Sequence, residues 1–287
     1  MWDIFLFVIC ILAVVSLWIV IYDTSRFVIK KHEIKSARIH DKYRAVVLAD
    51  LHNKRFGKDN ELLLAAIREQ KPDGIWIAGD MLTARPRRDM SPAIRFLTAL
   101  SKEYPIYYAN GNHEHRIKLY PEKYADMAQR YEEALKEIGI EPMVNSGCLL
   151  EKQNIMIYGL EISKEYYKRF TIPEMKGSYL NDTLGRPQKD MYNVLLAHNP
   201  DYFLAYAAWG ADVVFSGHVH GGLVRIPGGK GLISPNVRFF PKYDGGKFVE
   251  GNSTMILSRG LGVHTIPVRM FNPGEVIVVD FKGEKEE

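Results

Sequence analysis

The sequence predicts an α/β body carried behind one N-terminal transmembrane helix. Three observations lead there. Residues Ile4 to Tyr22 form an apolar run without a charged side chain. From Arg44 onward, short apolar runs alternate with segments of helical periodicity. Small groups of Asp, Asn and His each follow directly on one of those runs, at what would be the C-terminal edge of a sheet, where ligands bind in α/β folds.

The N-terminal run has the length of a bilayer-spanning helix, roughly 17–25 residues. Trp2, Trp18 and Tyr22 suit the two interfaces. A cleaved signal peptide is the rival reading. Against it, no Lys or Arg precedes the run, and Ser16 to Ser25 offers no clear small-x-small cleavage site. A buried core helix is the other alternative, but this segment is apolar on all faces. Arg26, Lys30, Lys31, Lys35 and Arg38 follow the run, whereas only Asp3 and the terminal amine precede it. The positive-inside rule therefore favours the cytoplasm for the C-terminal body, with the extracytoplasmic side as the alternative, behind a single-pass anchor. The expected organisation is an anchor over 1–24, a connector over 25–43, a globular domain over 44–281 and a charged, frayed tail over 282–287.

The connector is polar and basic, with alternation at Phe27, Ile29 and Ile34 that reads as a first strand as well as a linker. Ala45 to Ala49 is a buried-strand pattern. Asn60 to Gln70 is helical, with Leu62, Leu63, Ala66 and Ile67 on one face. Ile75 to Ala78 is the next strand. Ser91 as N-cap and Pro92 at the first helical position open a helix through Leu100. Ile106 to Ala109 is a strand, and Pro121 to Ile138 one long amphipathic helix ended by Gly139. Tyr120, Tyr124 and Tyr131 have helical spacing on it and read as packing. Leu149-Leu150, Ile155 to Leu160, Val194 to Ala197 and Val213 to Phe215 read as strands, with a short helix over Pro200 to Trp209. Past Gly221 the chain is rich in Gly and Pro before strands return at Thr254 to Ser258 and Glu275 to Phe281.

Bulk properties exclude little else. The net charge of +4 is mild for 287 residues and gives no case for nucleic acid, which needs a clustered basic patch. The cysteines Cys10 and Cys148 cannot build a disulfide framework.

The polar groups carry the chemistry. They are Asp50-Leu51-His52, Gly79-Asp80, Gly111-Asn112-His113-Glu114, His198 and Gly217-His218-Val219-His220. Asp50 and His52 are two apart, so in an extended segment they project to one side, as do His218 and His220. Mixed oxygen and imidazole donors suit a borderline metal. Any one pair is explained equally well by turn chemistry; all five groups in this order, each at a strand end, are not. Together they can hold two metal ions, and two ions about 3.5–4 Å apart can clamp a phosphoryl group and generate hydroxide from bound water near neutral pH.

This order of motifs resembles the calcineurin-like metallophosphoesterase family, over about Arg44 to Phe281. Gly221-Gly222-x-Val224-Arg225-x-Pro227 and Ser258-Arg259-Gly260-Leu261-Gly262, with Pro267 and Arg269, resemble a membrane-associated or exported bacterial subgroup. The resemblance implies a four-layer α/β/β/α sandwich and a metallophosphoesterase domain over 44–281. It implies that Asp50, His52 and His220 hold a first metal, that Asn112, His198 and His218 hold a second, and that Asp80 bridges both. His113 would face the phosphate as proton donor to the leaving oxygen, or as a charge on the transition state. The reaction would be in-line attack of metal-bound hydroxide on a phosphate ester or pyrophosphate. The two divalent ions are Mn, Fe, Zn or Co; the donor set does not choose among them.

One position departs from the family pattern. An Asp often stands three residues after the bridging Asp and orients the histidine of the Asn-His pair; here Thr83 stands there. Thr83 can accept a hydrogen bond from His113 but adds no charge, which would leave His113 with a lower pKa than a carboxylate partner would. His115 reads as a solvated loop residue. His264 lies in a Gly-rich loop expected to return to the same edge, without being a ligand. The anchor favours a substrate in or near the membrane, such as a lipid-linked phosphate. The alternative reading is a non-catalytic, membrane-anchored metal-binding regulator or scaffold, against which no ligand position is lost.

Overall fold

In a computed structural model, the described residues are 1–168, 171–227, 229–233, 239–263 and 267–284. Trp2–Ser25 forms helix α1, and Phe27–Lys35 forms strand β1 directly after it. The first half continues with β2 (Tyr43–Leu48), α2 (Glu61–Gln70), β3 (Gly74–Ala78), α3 (Ser91–Ser101), β4 (Ile106–Ala109), α4 (Asn112–Leu119), α5 (Pro121–Tyr124) and α6 (Met127–Glu137). The second half holds β5 (Ser146–Leu150), β6 (Ile155–Leu160), α7 (Tyr179–Leu184), β7 (Tyr192–Ala197), α8 (Phe203–Trp209) and β8 (Val213–Ser216). It closes with β9 (Val224–Arg225), β10 (Gly231–Ile233), β11 (Gly246–Glu250), β12 (Ser253–Leu257) and β13 (Gly274–Lys282).

Two large sheets result, ordered β1-β13-β2-β3-β4 and β11-β12-β8-β7-β6-β5, with β9 and β10 as a separate small pair. Strands β2, β3 and β4 run parallel, as do β6, β7, β8 and β12. Period-two alternation sorts each strand into two cores. Ala45, Val47, Trp76 and Ala78 of the first sheet meet Ile157, Val194, Leu196 and Phe215 of the second between the sheets. Val46, Leu48, Ile75 and Ile77 face outward onto Leu63, Phe96, Leu97 and Leu135 of the helices. On the far side, Leu195, Val214 and Met255 pack on Phe203, Tyr206 and Trp209. The architecture is therefore the four-layer α/β/β/α sandwich. Each fully buried large apolar side chain contributes about 1.5–3 kcal/mol, and all three cores are built of such side chains.

Several local expectations need correction. The first strand expected in the connector is not one of them: it forms as β1, which pairs in parallel with β13 from Phe27↔Gly274 to Lys35↔Lys282. On α2 the buried face is Leu63, Leu64 and Ile67, while Leu62 is 59% exposed; positions 63, 64 and 67 follow the i, i+1, i+4 stripe better than 62 does. Ser91 is not the cap of α3. The residue before the helix is Met90, and the Asp89 carboxylate instead accepts from the Ser91 N–H (2.9 Å) and hydroxyl (2.8 Å). The long helix over 121–138 is two, broken where Ala125 adopts φ +51°, a left-handed value that no helix carries through. The three tyrosines do pack: Tyr124 and Tyr131 are buried and Tyr120 lies against the same core. Helix α4, which begins at Asn112, falls in a stretch read as loop. The tail expected to fray begins inside β13, and residues 285–287 lie outside the described residues.

Candidate metal centre

Every predicted site residue lies just past the C-terminal end of a parallel strand. Asp50 and His52 follow β2, Asp80 follows β3, and Asn112 and His113 follow β4 at the first turn of α4. His198 follows β7, and His218 and His220 follow β8. The two sheets thus deliver their ligand loops to one edge.

The backbone there is not extended. Asp50, His52, Asp80, His218 and His220 all have positive φ, between 51° and 74°. A left-handed conformation costs a non-glycine residue roughly 1–2 kcal/mol, and such strain concentrates at functional sites. It also changes the expected geometry. His218 and His220 do not share a side: the His220 ring stacks on His52 (centroids 5.0 Å apart, planes at 15°), whereas His218 packs edge-on against His198 at 5.3 Å. Tight approach is needed as well. A Cβ on Gly111 would lie 2.2 Å from Asp80 Oδ1, and one on Gly217 would lie 2.4 Å from Asp50 Oδ2.

The donor atoms converge in three overlapping groups: Asp50/His52/His220, His52/Asp80/His113 and Asp80/His198/His218, each with donor atoms within 4.8 Å of one another. His52 Nε2 is 3.1 Å from His220 Nε2, and His220 Nε2 is 3.4 Å from Asp50 Oδ1. Asp80 Oδ2 is 3.0 Å from His198 Nε2, 3.8 Å from His52 Nε2 and 3.9 Å from His113 Nε2. Donors bonded to one ion at about 2.0–2.2 Å lie roughly 3–3.6 Å apart, so most of these separations suit shared coordination. The imidazoles are also oriented for it. His198 Nδ1 lies 2.7 Å from the Ala78 carbonyl and His52 Nδ1 lies 3.2 Å from the Leu82 carbonyl. Donation from Nδ1 leaves the lone pair on Nε2, where a metal would take it. The Asn112 amide oxygen is buried without a hydrogen-bond partner among the described residues, a costly state for a polar atom that no cation satisfies. The residues present fit divalent ions.

The electrostatics point the same way. Without a cation's charge, burial pushes Asp50 up to about 7, with the Asp80 charge adding to it. Burial opposes ionisation of Asp80 too, but the surrounding His198, His113 and His52 rings outweigh it and hold Asp80 well below the usual carboxylate range. Burial lowers His198, yet Asp80 and Asp50 carry it to about 10. Two carboxylates and a set of imidazoles packed this closely are competing for charge that dications would supply.

The structure gives Thr83 a different part from the one expected. Its hydroxyl donates to the His52 carbonyl (3.1 Å), and His113 Nδ1 accepts from the Ala84 backbone N–H at 2.7 Å. A ring nitrogen that accepts carries no proton, so the neutral ring holds its proton on Nε2, the atom facing Asp80. A backbone amide does the orienting that a carboxylate does elsewhere.

Sequence reasoning gave no role to three further residues. The buried Glu114 carboxylate accepts from the backbone N–H groups of Asp80 (3.0 Å), Met81 (2.8 Å), Leu82 (3.3 Å) and Gly111 (3.0 Å), and from the Tyr108 hydroxyl (3.0 Å). Burial, with the Asp80 charge, raises Glu114 to about 7, against the pull of these donors. It ties the loops after β3 and β4 together; the motif displayed it, but nothing in the sequence said which amides it would meet. Arg269 is almost fully buried, and its guanidinium donates to the carbonyls of Gly262 (2.6 Å), Arg259 (2.8 Å) and Gly260 (3.0 Å). Tyr167 sits edge-on to His218 at 5.4 Å, and burial raises its phenol well above the ordinary value, keeping it a proton-bearing donor. No motif surrounds it. His115 is half-buried on α4, with Nε2 4.0 Å from Glu161 Oε1, rather than solvated. His264 lies outside the described residues.

Comparison with known proteins gives the family. The model of the calcineurin-like phosphoesterase family matches residues 43–222, a span that includes every candidate ligand above. The chain is 26% identical over 266 residues to the uncharacterized metallophosphoesterase YkuE of Bacillus subtilis, covering 88% of this chain and 85% of that one. It is 26% identical over 278 residues to the uncharacterized metallophosphoesterase Cj0846 of Campylobacter jejuni (92% and 67% covered), and 25% identical over 190 residues to the phosphodiesterase YaeI of Escherichia coli (64% and 63%). The chain belongs to the calcineurin-like phosphoesterase family and is a metal-dependent phosphoric ester hydrolase.

Proposed function

We propose that the site holds two divalent ions, the first on Asp50, His52 and His220 and the second on Asn112, His198 and His218, with Asp80 between them. The position of Asp80 carries the reading: one carboxylate oxygen lies within 3.0–3.9 Å of the Nε2 atoms of His52, His113 and His198, which serve different groups. Two such ions supply a clamp for phosphoryl oxygens and a water acidic enough to attack near neutral pH.

The chain's own residues do the rest. Asp80 reduces repulsion between adjacent dications. Its Oδ1 accepts from the His113 N–H at 2.8 Å, which keeps the carboxylate from turning. Asp50 is held likewise by the His218 N–H, 3.0 Å from Oδ2. His113, with its proton on Nε2, donates to the phosphate or to the leaving oxygen. Asn112 brings a neutral oxygen, so the site keeps positive charge for an anionic ester. A panel of Mn²⁺, Fe²⁺, Zn²⁺ and Co²⁺ against mono- and diesters tests the reading; no metal-dependent turnover on any ester would sink it.

The body is anchored with this edge toward a membrane, and the substrate is lipid-linked. Helix α1 is apolar along its length with only its end tied to the body. There the buried Asp23 carboxylate accepts from the Asn272 N–H at 3.2 Å and pairs with Arg26 at 2.7 Å. The Asn272 side chain in turn donates to the carbonyl of His220 at 2.7 Å. The helix end is therefore one residue removed from a metal ligand. Exposed Ile226, Phe239, Phe240 and Phe271 lie in the strands and turns beside it. The basic residues after α1 support a body on the cytoplasmic face. Deleting residues 1–25 is expected to spare turnover of small soluble esters and to lower turnover of phosphate lipids in vesicles; equal activity on both would remove the membrane from the substrate reading.

A further inference from the structure

A cleft of about 290 Å³ opens beside the metal cluster, and its wall carries His52 and His113 together with Arg85, Arg88 and Arg116. The three arginines are exposed and make no ion pair among the described residues. Their backbone is nonetheless tied to the site. The segment bearing Arg85 and Arg88 is fastened to it at both preceding residues, by Thr83 to the His52 carbonyl and by Ala84 to His113 Nδ1. It then folds back on itself, with Arg85 N–H on the Thr83 carbonyl (2.8 Å) and Arg88 N–H on the Arg85 carbonyl (3.0 Å). Arg116 stands three residues after His113 on α4, on the same helix face.

Three guanidinium groups around one small cleft repel one another, and among the described residues no carboxylate lines the cleft with them. A scissile phosphate held by two dications and His113 already has its charge met. The surplus of positive charge, adjacent to that position and built of side chains suited to bidentate phosphate contact, fits a second anionic group. We propose that Arg85, Arg88 and Arg116 form a second phosphate subsite, so that the substrate is a pyrophosphate-linked compound, cleaved with its second phosphoryl group on the arginines. This rests on the dinuclear phosphoesterase reading and names its substrate class.

The test compares full-length protein with the Arg85→Ala/Arg88→Ala and Arg116→Ala variants, all at exposed positions where folding is not at risk. With saturating Mn²⁺, kcat/KM is measured on a dinucleoside pyrophosphate and on bis(p-nitrophenyl) phosphate. Calorimetry compares methylenediphosphonate with methylphosphonate. Each variant is expected to lose about tenfold or more on the pyrophosphate and less than about threefold on the single diester, because charge-assisted contacts to one group are lost. The wild type is expected to bind the diphosphonate about tenfold tighter than the monophosphonate, and the variants to lose that preference; Arg116→Lys keeps part of it. Equal losses on both esters, or no diphosphonate preference in the wild type, overturns the subsite. Failure of the underlying reading looks different: the wild type then turns over neither ester with metal, while the binding comparison still decides the arginines.

Discussion

The floor and the rim of the site are built by opposite means. On the floor, Asp50, Asp80 and His198 are 0–2% exposed, and their orientation comes from backbone amides, carbonyls and strained φ angles. On the rim, Arg85, Arg88 and Arg116 are exposed and lie on a turn and an outer helix face. A buried charge cannot be moved or left unpaired without a large penalty, whereas an exposed one is screened and tolerant. The difference teaches that the reaction class is fixed by the floor, and that the choice among esters is free to vary on the rim.

The largest effect that would sharpen this contrast is at Asp80. In the proposed dinuclear centre Asp80→Ala removes a ligand shared by both ions, so it is expected to lower kcat/KM on every ester by more than about a thousandfold; metal analysis should show fewer ions per chain. A variant retaining both ions and near-normal rates would break the picture of Asp80 as the bridge. Next comes His113→Ala, expected to cost roughly 10²–10⁴ in kcat, the range for a positioned proton donor. Metal content should stay unchanged, which separates it from the ligands.

Glu114→Ala should act through stability. It leaves four backbone N–H groups and the Tyr108 hydroxyl without their acceptor. A loss of about 3 kcal/mol or more is expected, read as a lower Tm in the metal-free protein, with metal affinity down about 10- to 100-fold as for other supporting partners. An unchanged Tm would show that the loops after β3 and β4 stand without it.

A smaller effect is expected from pH. Asp50 has its folded pKa raised from 3.8 to about 7. The protonated form therefore suits the metal-free fold, and the contribution of Asp50 to its stability is fully present below the unfolded value and is lost as pH rises toward 7. Ion binding needs the carboxylate, so metal affinity should rise over the same interval, by up to about tenfold per pH unit for each proton released. Affinity independent of pH between 5 and 7 would contradict the raised value.

Much of the floor was legible in the sequence because its chemistry and its position coincide: Asp50, Asp80, His198 and His218 each follow a short apolar run that must be a buried strand. Short apolar runs also announced β2, β3, β6, β7 and β8. What was not legible depended on tertiary partners. Nothing local says that Ala84 offers its N–H to His113, that Glu114 gathers amides from another loop, or that β1 pairs with β13 from the far end of the chain. The break at Ala125 was hidden because the amphipathic period carries on across it. The arginine rim was passed over because Arg85 to Arg88 reads as an ordinary solvated turn until α4 brings Arg116 beside it.

The most direct test of the central claim is a metal titration of the chelator-stripped, full-length protein, following ions bound per chain and hydrolysis of bis(p-nitrophenyl) phosphate together. Two Mn²⁺ per chain are expected, with turnover appearing as the second binds and abolished again by chelation. Full turnover with one ion per chain, or turnover that survives in the stripped protein, would contradict a dinuclear centre bridged by Asp80.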